Sequence, residues 1–476
     1  MTNLRSVSPF TSLSPEQLKH DFVTMKAAYN SNPAPSFEER VAVLKALKVA
    51  LIKNEHAFYQ ALKQDYGYRS EFDTLIADVL PSVAGINYAI KHLKKWMKPS
   101  KRHAGLMLLP SKVKVHYQPL GVVGVITPWN FPIFLSMGPA IQALAAGNRV
   151  MIKMSEFTPN ANNALRQALS GLSKHIQVFE GEADVGAAFS ALPFDHLIFT
   201  GSSTVGKLVA KSAADNLTPI TLELGGKSPT IVDDKISMDI AVDALIVGKS
   251  VNSGQICVSP DYVFVPESRK DEFVETFLAR YREYHLDSSD SNSQTHIVSA
   301  RQYQRLMGFI DDAKAKGAHI HAVKDIDTRL GRLVYPHVIT DVTADMSVMQ
   351  EEIFGSILPV ITYSDIGEVL NYINERPRPL ALYIMSNNKT LIDRVITNTH
   401  SGGVAINDTA MHVAADDAPF GGVGNSGMGH YHGYEGFLTF SKAKTVLYSS
   451  AWLPKNRFIL KNRDFVFNTL RRFLLK

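Results

Sequence analysis

The chain has 476 residues, 45% of them hydrophobic and 20% charged, a composition that excludes collagen, mucin, coiled coil and disorder and leaves ample sequence for a core spread over about three domains, or two large interleaved ones. Fifty Lys and Arg against forty-five Asp and Glu give a formal charge of +5, too weak an excess to argue for nucleic acid. The single cysteine, Cys257, excludes an internal disulfide and any zinc site built on several thiolates, so a reducing, cytoplasmic setting is expected.

The stretch from Met1 to Lys19 is polar, carries Pro9 and Pro15, and lacks the apolar centre of an export signal. Ser14-Pro15-Glu16-Gln17 and Ser36-Phe37-Glu38-Glu39 each offer an N-cap hydroxyl with a polar partner three residues on, predicting two helix starts. In the second helix Phe37, Val41, Leu44 and Leu51 share a face, Glu39 and Lys53 lie opposite, and only Lys48 intrudes. These first hundred residues read as a helical layer over something larger. Lys112, Val113, Lys114 and Val115 then alternate with period two, as a β-ribbon with one wet face would.

Nothing from Tyr117 to Asn148 is charged, which mimics a membrane span. Pro128, Pro132 and Pro139, with Gly121, Gly124, Gly138 and Gly147, divide the run into pieces too short to span as one helix, so a buried strand, turn and helix is the reading. Short apolar runs follow at 121–126, 150–153, 177–180, 196–199 and 220–222, with helical stretches at 159–172 and 204–214 between them. A second set has strands at 228–232, 262–265 and 357–360 around helices at 270–285 and 300–316, and a short polar loop from Asp287 to Gln294. This alternation predicts an α/β protein with two parallel-sheet lobes, whose ligands gather at the carboxyl ends of the strands. The tail from Lys455 to Lys476 carries seven cations against Asp464, and Val466, Leu470, Phe473 and Leu474 form a short apolar stripe. It reads either as a helix packed on its own or a partner subunit or as one lying on a membrane surface, and it is too short and charged to span.

Four stretches bear on chemistry. Gly201-Ser202-Ser203-Thr204-Val205-Gly206-Lys207 opens a helix after a strand, as a phosphate-cradling turn does, but Leu208 replaces the hydroxyl that a Walker loop needs for magnesium. Cys257 sits in Asn252-Ser253-Gly254-Gln255-Ile256-Cys257, where it reads as a small buried hydrophobe or as a nucleophile approached across a glycine turn. Glu223 ends an apolar strand, a costly place for a carboxylate unless it is ion-paired or functional. Asn130, within Thr127-Pro128-Trp129-Asn130, can donate to an oxyanion or cap the next helix. His430 and His432 lack a recognisable third metal ligand.

Together with Phe199-Thr200-Gly201-Ser202, Leu222-Glu223-Leu224-Gly225-Gly226-Lys227 and Glu351-Glu352-Ile353-Phe354-Gly355, these stretches in this order resemble the aldehyde dehydrogenase superfamily over residues 20 to 445 or so. Arg376-Pro377-Arg378-Pro379-Leu380-Ala381-Leu382-Tyr383 and the run from Pro419-Phe420-Gly421-Gly422 to His432-Gly433 resemble most its coniferyl aldehyde branch, near the class-three and fatty aldehyde enzymes. The resemblance implies two interleaved Rossmann-like lobes with a small β oligomerisation element: a dinucleotide domain of residues 1–100 and 118–222, a catalytic domain of 223–412, an oligomerisation element of 101–117 and 413–446, and a basic tail of 447–476.

It also implies NAD(P)-dependent oxidation of a hydrophobic or aromatic aldehyde, coniferyl aldehyde-like, to its acid through a cysteine thiohemiacetal and thioester. Cys257 would attack the carbonyl, Asn130 and the Cys257 N–H would hold the oxyanion, and Glu223 would activate the water that hydrolyses the thioester. Lys153 and Glu156 would hold the adenosine ribose, Gly201, Ser202 and Gly206 would lie by the pyrophosphate, Glu352 and Phe354 would position the nicotinamide, and Trp129 would flank the channel. Glu156 accepts from a ribose diol and repels a 2′-phosphate, which favours NAD and leaves NADP open. Met154, Ser356 and Ile256 stand where the family usually has proline, proline and threonine. The alternatives are a fatty aldehyde dehydrogenase, a CoA-acylating relative, which usually lacks the Glu223 base, and an inactive binding or structural protein with this fold. A homodimer is expected by analogy with the class-three relatives.

Overall fold

The computed structural model describes residues 14–286, 294–452 and 454–475; most of the polar start of the chain and of the Asp287–Gln294 loop lie outside them. Both helix starts form on their caps. Ser14 Oγ accepts from the Gln17 N–H ahead of Pro15–Ser31, and Ser36 and Glu39 close a reciprocal capping box ahead of Phe37–Lys53. The face the second helix buries is Arg40, Leu44, Leu47 and Leu51, whereas Lys48 turns aside to Asn87. Arg40 is buried because its guanidinium caps another helix, donating to the carbonyls of Ala145 and Ala146 at the end of Pro132–Ala146.

The strands are β1 (Ser100–Arg102), β2 (Lys112–Pro119), β3 (Val122–Ile126), β4 (Arg149–Lys153), β5 (Ile176–Phe179), β6 (His196–Gly201), β7 (Ile220–Leu224) and β8 (Ser228–Val232). They continue as β9 (Pro260–Pro266), β10 (His319–Ala322), β11 (His337–Thr340), β12 (Ile357–Tyr363), β13 (Ala381–Met385), β14 (Gly403–Ile406), β15 (Gly427–Met428) and β16 (Ser441–Tyr448). A six-stranded sheet has the order β15-β7-β6-β3-β4-β5, parallel apart from β15. A seven-stranded sheet has the order β10-β11-β12-β9-β8-β13-β14, parallel apart from β10. The third sheet is the antiparallel ribbon β1-β2-β16, in which β16 pairs along the whole of β2. The two α/β lobes expected from the alternation are therefore present.

The uncharged run from Tyr117 to Asn148 resolves into the end of β2, then β3, a turn, and one helix, Pro132–Ala146. Contrary to the punctuation reading, Gly138 and Pro139 do not divide that helix. Pro139 removes the N–H that would meet the Leu135 carbonyl, and the helix persists because it packs along its length against the helices Phe37–Lys53, Leu80–Trp96 and Gly433–Thr439 and the strands β3 and β4. Gly138 is required by packing, since a Cβ there would lie 3.2 Å from the Tyr431 ring. No helix among the described residues is long and apolar enough to cross a membrane.

Candidate active site

The turn that carries Cys257 follows the helix Met238–Ser250 and contains three successive residues in left-handed conformation, Asn252 (φ 49°), Ser253 (φ 54°) and Gly254 (φ 70°). Two of them have side chains, so the surroundings must hold the strain. Asp73 accepts from the Asn252 N–H at 3.0 Å and from Thr295 Oγ1 at 2.5 Å, and the Ser253 hydroxyl donates to the Thr295 carbonyl. Gln255 Nε2 donates to the carbonyls of Asn252 and His296, while its Oε1 accepts from Val298 N–H. Gly254 admits no side chain, because a Cβ would stand 2.7 Å from the Gly355 carbonyl oxygen. The same close approach lets Ser356, one of the departures from the family pattern, donate to the Ser253 carbonyl at 3.0 Å.

Asn130 sits in the turn between β3 and the helix Pro132–Ala146, and that turn is held from behind. Arg69 and Asp78 form a fully buried ion pair at 2.7 Å. The Arg69 guanidinium also donates to the Asn130 carbonyl, and Asp78 Oδ1 accepts the N–H groups of Ile133 and Phe134 at 3.0 Å each. Asp78 is thus the cap of this helix, a role the sequence reading left open for Asn130. Burial still lifts the Asp78 carboxyl to about 6 despite Arg69. Freed from capping, Asn130 directs Nδ2 to the Gln255 carbonyl at 3.1 Å, and its Oδ1 is buried without a partner. Asp73 precedes and Asp78 lies within a π-turn, Leu75–Val79, so one short segment braces both the cysteine turn and the asparagine turn.

Glu223 lies near the carboxyl end of β7, opposite Thr200 on one side and Gly427 on the other. It is 3% exposed and neither carboxylate oxygen has a hydrogen-bond partner among the described residues, so the structural ion pair that would excuse its position is not found there. Burial alone raises its pKa well above the usual carboxylate range. The Cys257 thiol is pushed up to about 12, by burial first and then by the charges of Glu352 and Glu223.

These groups meet in one cleft of about 220 Å³, lined by Pro128, Trp129, Asn130, Thr200, Gly201, Ser202, Glu223, Cys257, Arg305, Glu352 and Phe354 among others. Cys257, Glu223 and Asn130, 127 residues apart at the extremes of sequence, are therefore brought together, as are Trp129, Gly201, Ser202, Glu352 and Phe354. Glu352 has its carboxyl raised to about 8, by burial first and then by Asp261, against the lowering of a Gly226 N–H hydrogen bond and of Lys227 and Arg305. A Cβ on Gly225 would come within 2.1 Å of that carboxylate, which is why glycine stands there.

Three of the expected site residues lie away from this cleft. Lys153 ends β4, separated from β7 by the two strands β6 and β3, and pairs with Glu156 at 3.5 Å. Gly206 lies on the buried face of the helix Ser203–Ala214, where a Cβ would strike Leu224 at 2.7 Å, so it serves helix-to-strand packing. Ser202 is that helix's N-cap, its hydroxyl accepting from Val205 N–H. A larger cleft of about 620 Å³ adjoins through Gly225 and Glu352 and is lined by Lys227, Arg376 and Arg378, but it does not include Cys257.

Sequence reasoning did not find Tyr66, Arg69, Asp73, Asp78, Gln302 or Arg305. Arg305 donates to the carbonyls of Glu352 and Ile353 and Tyr66 to those of Trp129 and Asn130. They act on backbone atoms from remote parts of the chain, and no local pattern announces that.

A family model described as the aldehyde dehydrogenase family matches residues 5–446. A Pseudomonas aeruginosa protein named "Probable coniferyl aldehyde dehydrogenase" is 52% identical over 90% of each chain. Among solved structures, a substrate-bound state of Staphylococcus aureus AldH superposes with a TM-score of 0.88 at 36% identity, covering 94% of this chain and 99% of that one. An NAD+ complex of an aldehyde dehydrogenase from Bacillus cereus gives 0.82 at 26% identity, over 92% and 89%.

Proposed function

The chain belongs to the aldehyde dehydrogenase family and is an NAD(P)-dependent aldehyde dehydrogenase, and from that premise we propose that it oxidises hydrophobic aromatic aldehydes of the coniferyl type to their acids through a thioester on Cys257. The observation that carries the substrate class is a third cleft, of about 410 Å³, lined by Phe72, Leu80, Phe134, Met411, Gln142 and Asp416 among others. Phe134 and Val413 of this cleft pack into the same apolar cluster as Cys257. Its walls suit a flat apolar body. Gln142 Oε1 is buried there without a partner, and Asp416 has its carboxyl raised by burial, so a ring hydroxyl would find acceptors. A saturated alkyl chain would leave them unmet.

In this reading Cys257 attacks the carbonyl carbon, and the oxyanion takes hydrogen bonds from Asn130 Nδ2 and the Cys257 N–H. The burial that raises the Glu223 pKa makes its carboxylate a stronger base than an exposed one, suited to taking a proton from the water that hydrolyses the thioester. The dinucleotide, when bound, supplies the hydride acceptor and a positively charged ring. Supporting its fit are the unpartnered Glu352 Oε1 beside a bare Gly225, the Ser202 helix start, and the Lys153–Glu156 pair at the end of β4. Glu352, Phe354 and Trp129 would hold its nicotinamide half, Gly201 and Ser202 its phosphates with Gly206 letting the helix approach, and Lys153 and Glu156 its adenosine ribose, with NAD preferred. Residues 1–100 and 118–222 would then form the dinucleotide domain, 223–412 the catalytic domain, and 101–117 with 413–446 the contact of a homodimer. The lone free thiol fits a cytoplasmic setting.

The test is kcat/KM over cinnamyl, benzaldehyde and medium-chain alkyl aldehydes. Hydroxylated cinnamyl substrates should lead, Gln142→Leu should cost them roughly tenfold relative to their unhydroxylated analogues, and Cys257→Ala should be inactive on all. Glu223→Gln should keep a pre-steady-state burst of reduced dinucleotide while turnover falls. If alkyl aldehydes lead, the enzyme is a fatty aldehyde dehydrogenase.

A further inference from the structure

The chain's positive charge is concentrated at its end. Lys455, Arg457, Lys461, Arg463, Arg471, Arg472 and Lys476 face one acid, Asp464, so that without residues 455–476 the formal charge of +5 would become −1. This tail begins beyond the family match, which ends at residue 446, and so is not part of the shared fold.

Its described residues form two helices, Lys455–Lys461 and Arg463–Leu474, neither of which has a single buried residue. They meet each other edge to face through Phe458 and Phe465, with ring centroids 6.2 Å apart. Around Arg463–Leu474, Val466, Phe467, Leu470, Phe473 and Leu474 fall on one side at helical spacing, while Asp464, Asn468, Arg471 and Arg472 fall on the other. Phe467 and Phe473 remain largely exposed, and Trp452, just ahead of the helices, is 93% exposed. A monomer seldom leaves so many aromatic and aliphatic side chains in water without a use for them.

Three features select the occupant of this face. The charge calls for an anionic partner; the apolar stripe is broken by one cation, Arg463 in the first turn, and otherwise runs beside Arg471 and Arg472; and Phe467 and Phe473 sit where the polar and apolar halves meet. Nucleic acid would use the cations but not the stripe, and a second copy of the tail would set like charges against each other. We propose that the tail is an amphipathic anchor that lies on the surface of anionic lipid bilayers, with the apolar stripe in the acyl boundary and Arg471 and Arg472 at the headgroups.

Co-sedimentation of the full chain with vesicles tests this. Vesicles of equal parts phosphatidylglycerol and phosphatidylcholine should retain the enzyme at low salt and release it as salt rises, and pure phosphatidylcholine should retain much less. Leu470→Glu with Phe473→Glu should abolish retention, and Arg471→Glu with Arg472→Glu should weaken it roughly tenfold or more. Turnover of a water-soluble aldehyde should be unchanged in both variants, which reports an intact fold. Absence of retention on the anionic vesicles would overturn the proposal. So would a loss of oligomer mass in Leu470→Glu with Phe473→Glu, because it would mean that a second subunit covers the stripe.

Discussion

Every charged group in the catalytic cleft is there at a cost of desolvation, and the direction of each shift has a kinetic meaning. Burial and two neighbouring carboxyls hold the Cys257 thiol far from ionisation, up at about 12, so the free enzyme keeps Cys257 as a protected thiol at neutral pH. Alkylation of Cys257 by iodoacetamide in the free enzyme should accordingly rise roughly tenfold per pH unit with no plateau up to pH ~9. Glu352, raised to about 8, is neutral below that value and repels the thiolate above it. Glu352→Gln should therefore speed alkylation at alkaline pH and leave it unchanged near pH ~6. The same shift has a stability consequence of definite sign. A carboxyl whose folded pKa is raised destabilises the fold progressively as pH climbs from its ordinary value through about 8, so this variant should also melt higher than the parent, with a gap that opens above the ordinary carboxylate range, widens to about pH 8 and is constant beyond it.

At the scale of elements, the segment Glu71–Val79 is the brace of the site. One short α-helical piece and its π-turn supply Asp73 to the left-handed turn ahead of Cys257 and Asp78 to the helix start behind Asn130. The Arg69–Asp78 pair is wholly buried, and such pairs matter most when half of one is removed. Asp78→Ala would strand the Arg69 guanidinium and uncap Pro132–Ala146; a loss of about 3–5 kcal/mol is expected, read as a lower thermal midpoint. Asp78→Asn retains an acceptor for Ile133 and Phe134 and should lose less. The helix starts at Pro15 and Phe37 were legible in sequence because capping is local. This brace was not, because Asp78 reaches backbone atoms 55 and 56 residues away.

At the scale of the molecule, the cleft is assembled from both large sheets. Trp129, Asn130, Gly201, Ser202 and Glu223 come from the six-stranded sheet and its loops, and Cys257, Arg305, Glu352 and Phe354 from around the seven-stranded one. A dinucleotide spanning them should stabilise the whole chain by about 2.7 kcal/mol at a hundred times its Kd, read as a higher thermal midpoint. With Glu156 half-exposed beside Lys153, NAD should stabilise more than NADP at equal concentration, and Glu156→Gln should narrow the difference.

The alternation of apolar strands and helices determined the two-lobed α/β class without tertiary information, since period and capping are properties of neighbouring residues. The motifs around Asn130, Glu223 and Cys257 likewise pointed to the aldehyde dehydrogenase family. Strands such as Ala381–Met385 and Gly403–Ile406, and the uninterrupted helix through Pro139, were not read from sequence. Short apolar runs lack a distinguishing period, and burial can override a helix breaker. Whether Glu223 is ion-paired, what caps the helix after Asn130, and how a strained turn is held under Cys257 were decided only by the fold. Each is a question of which distant polar group is within hydrogen-bonding reach, and folding alone sets those distances.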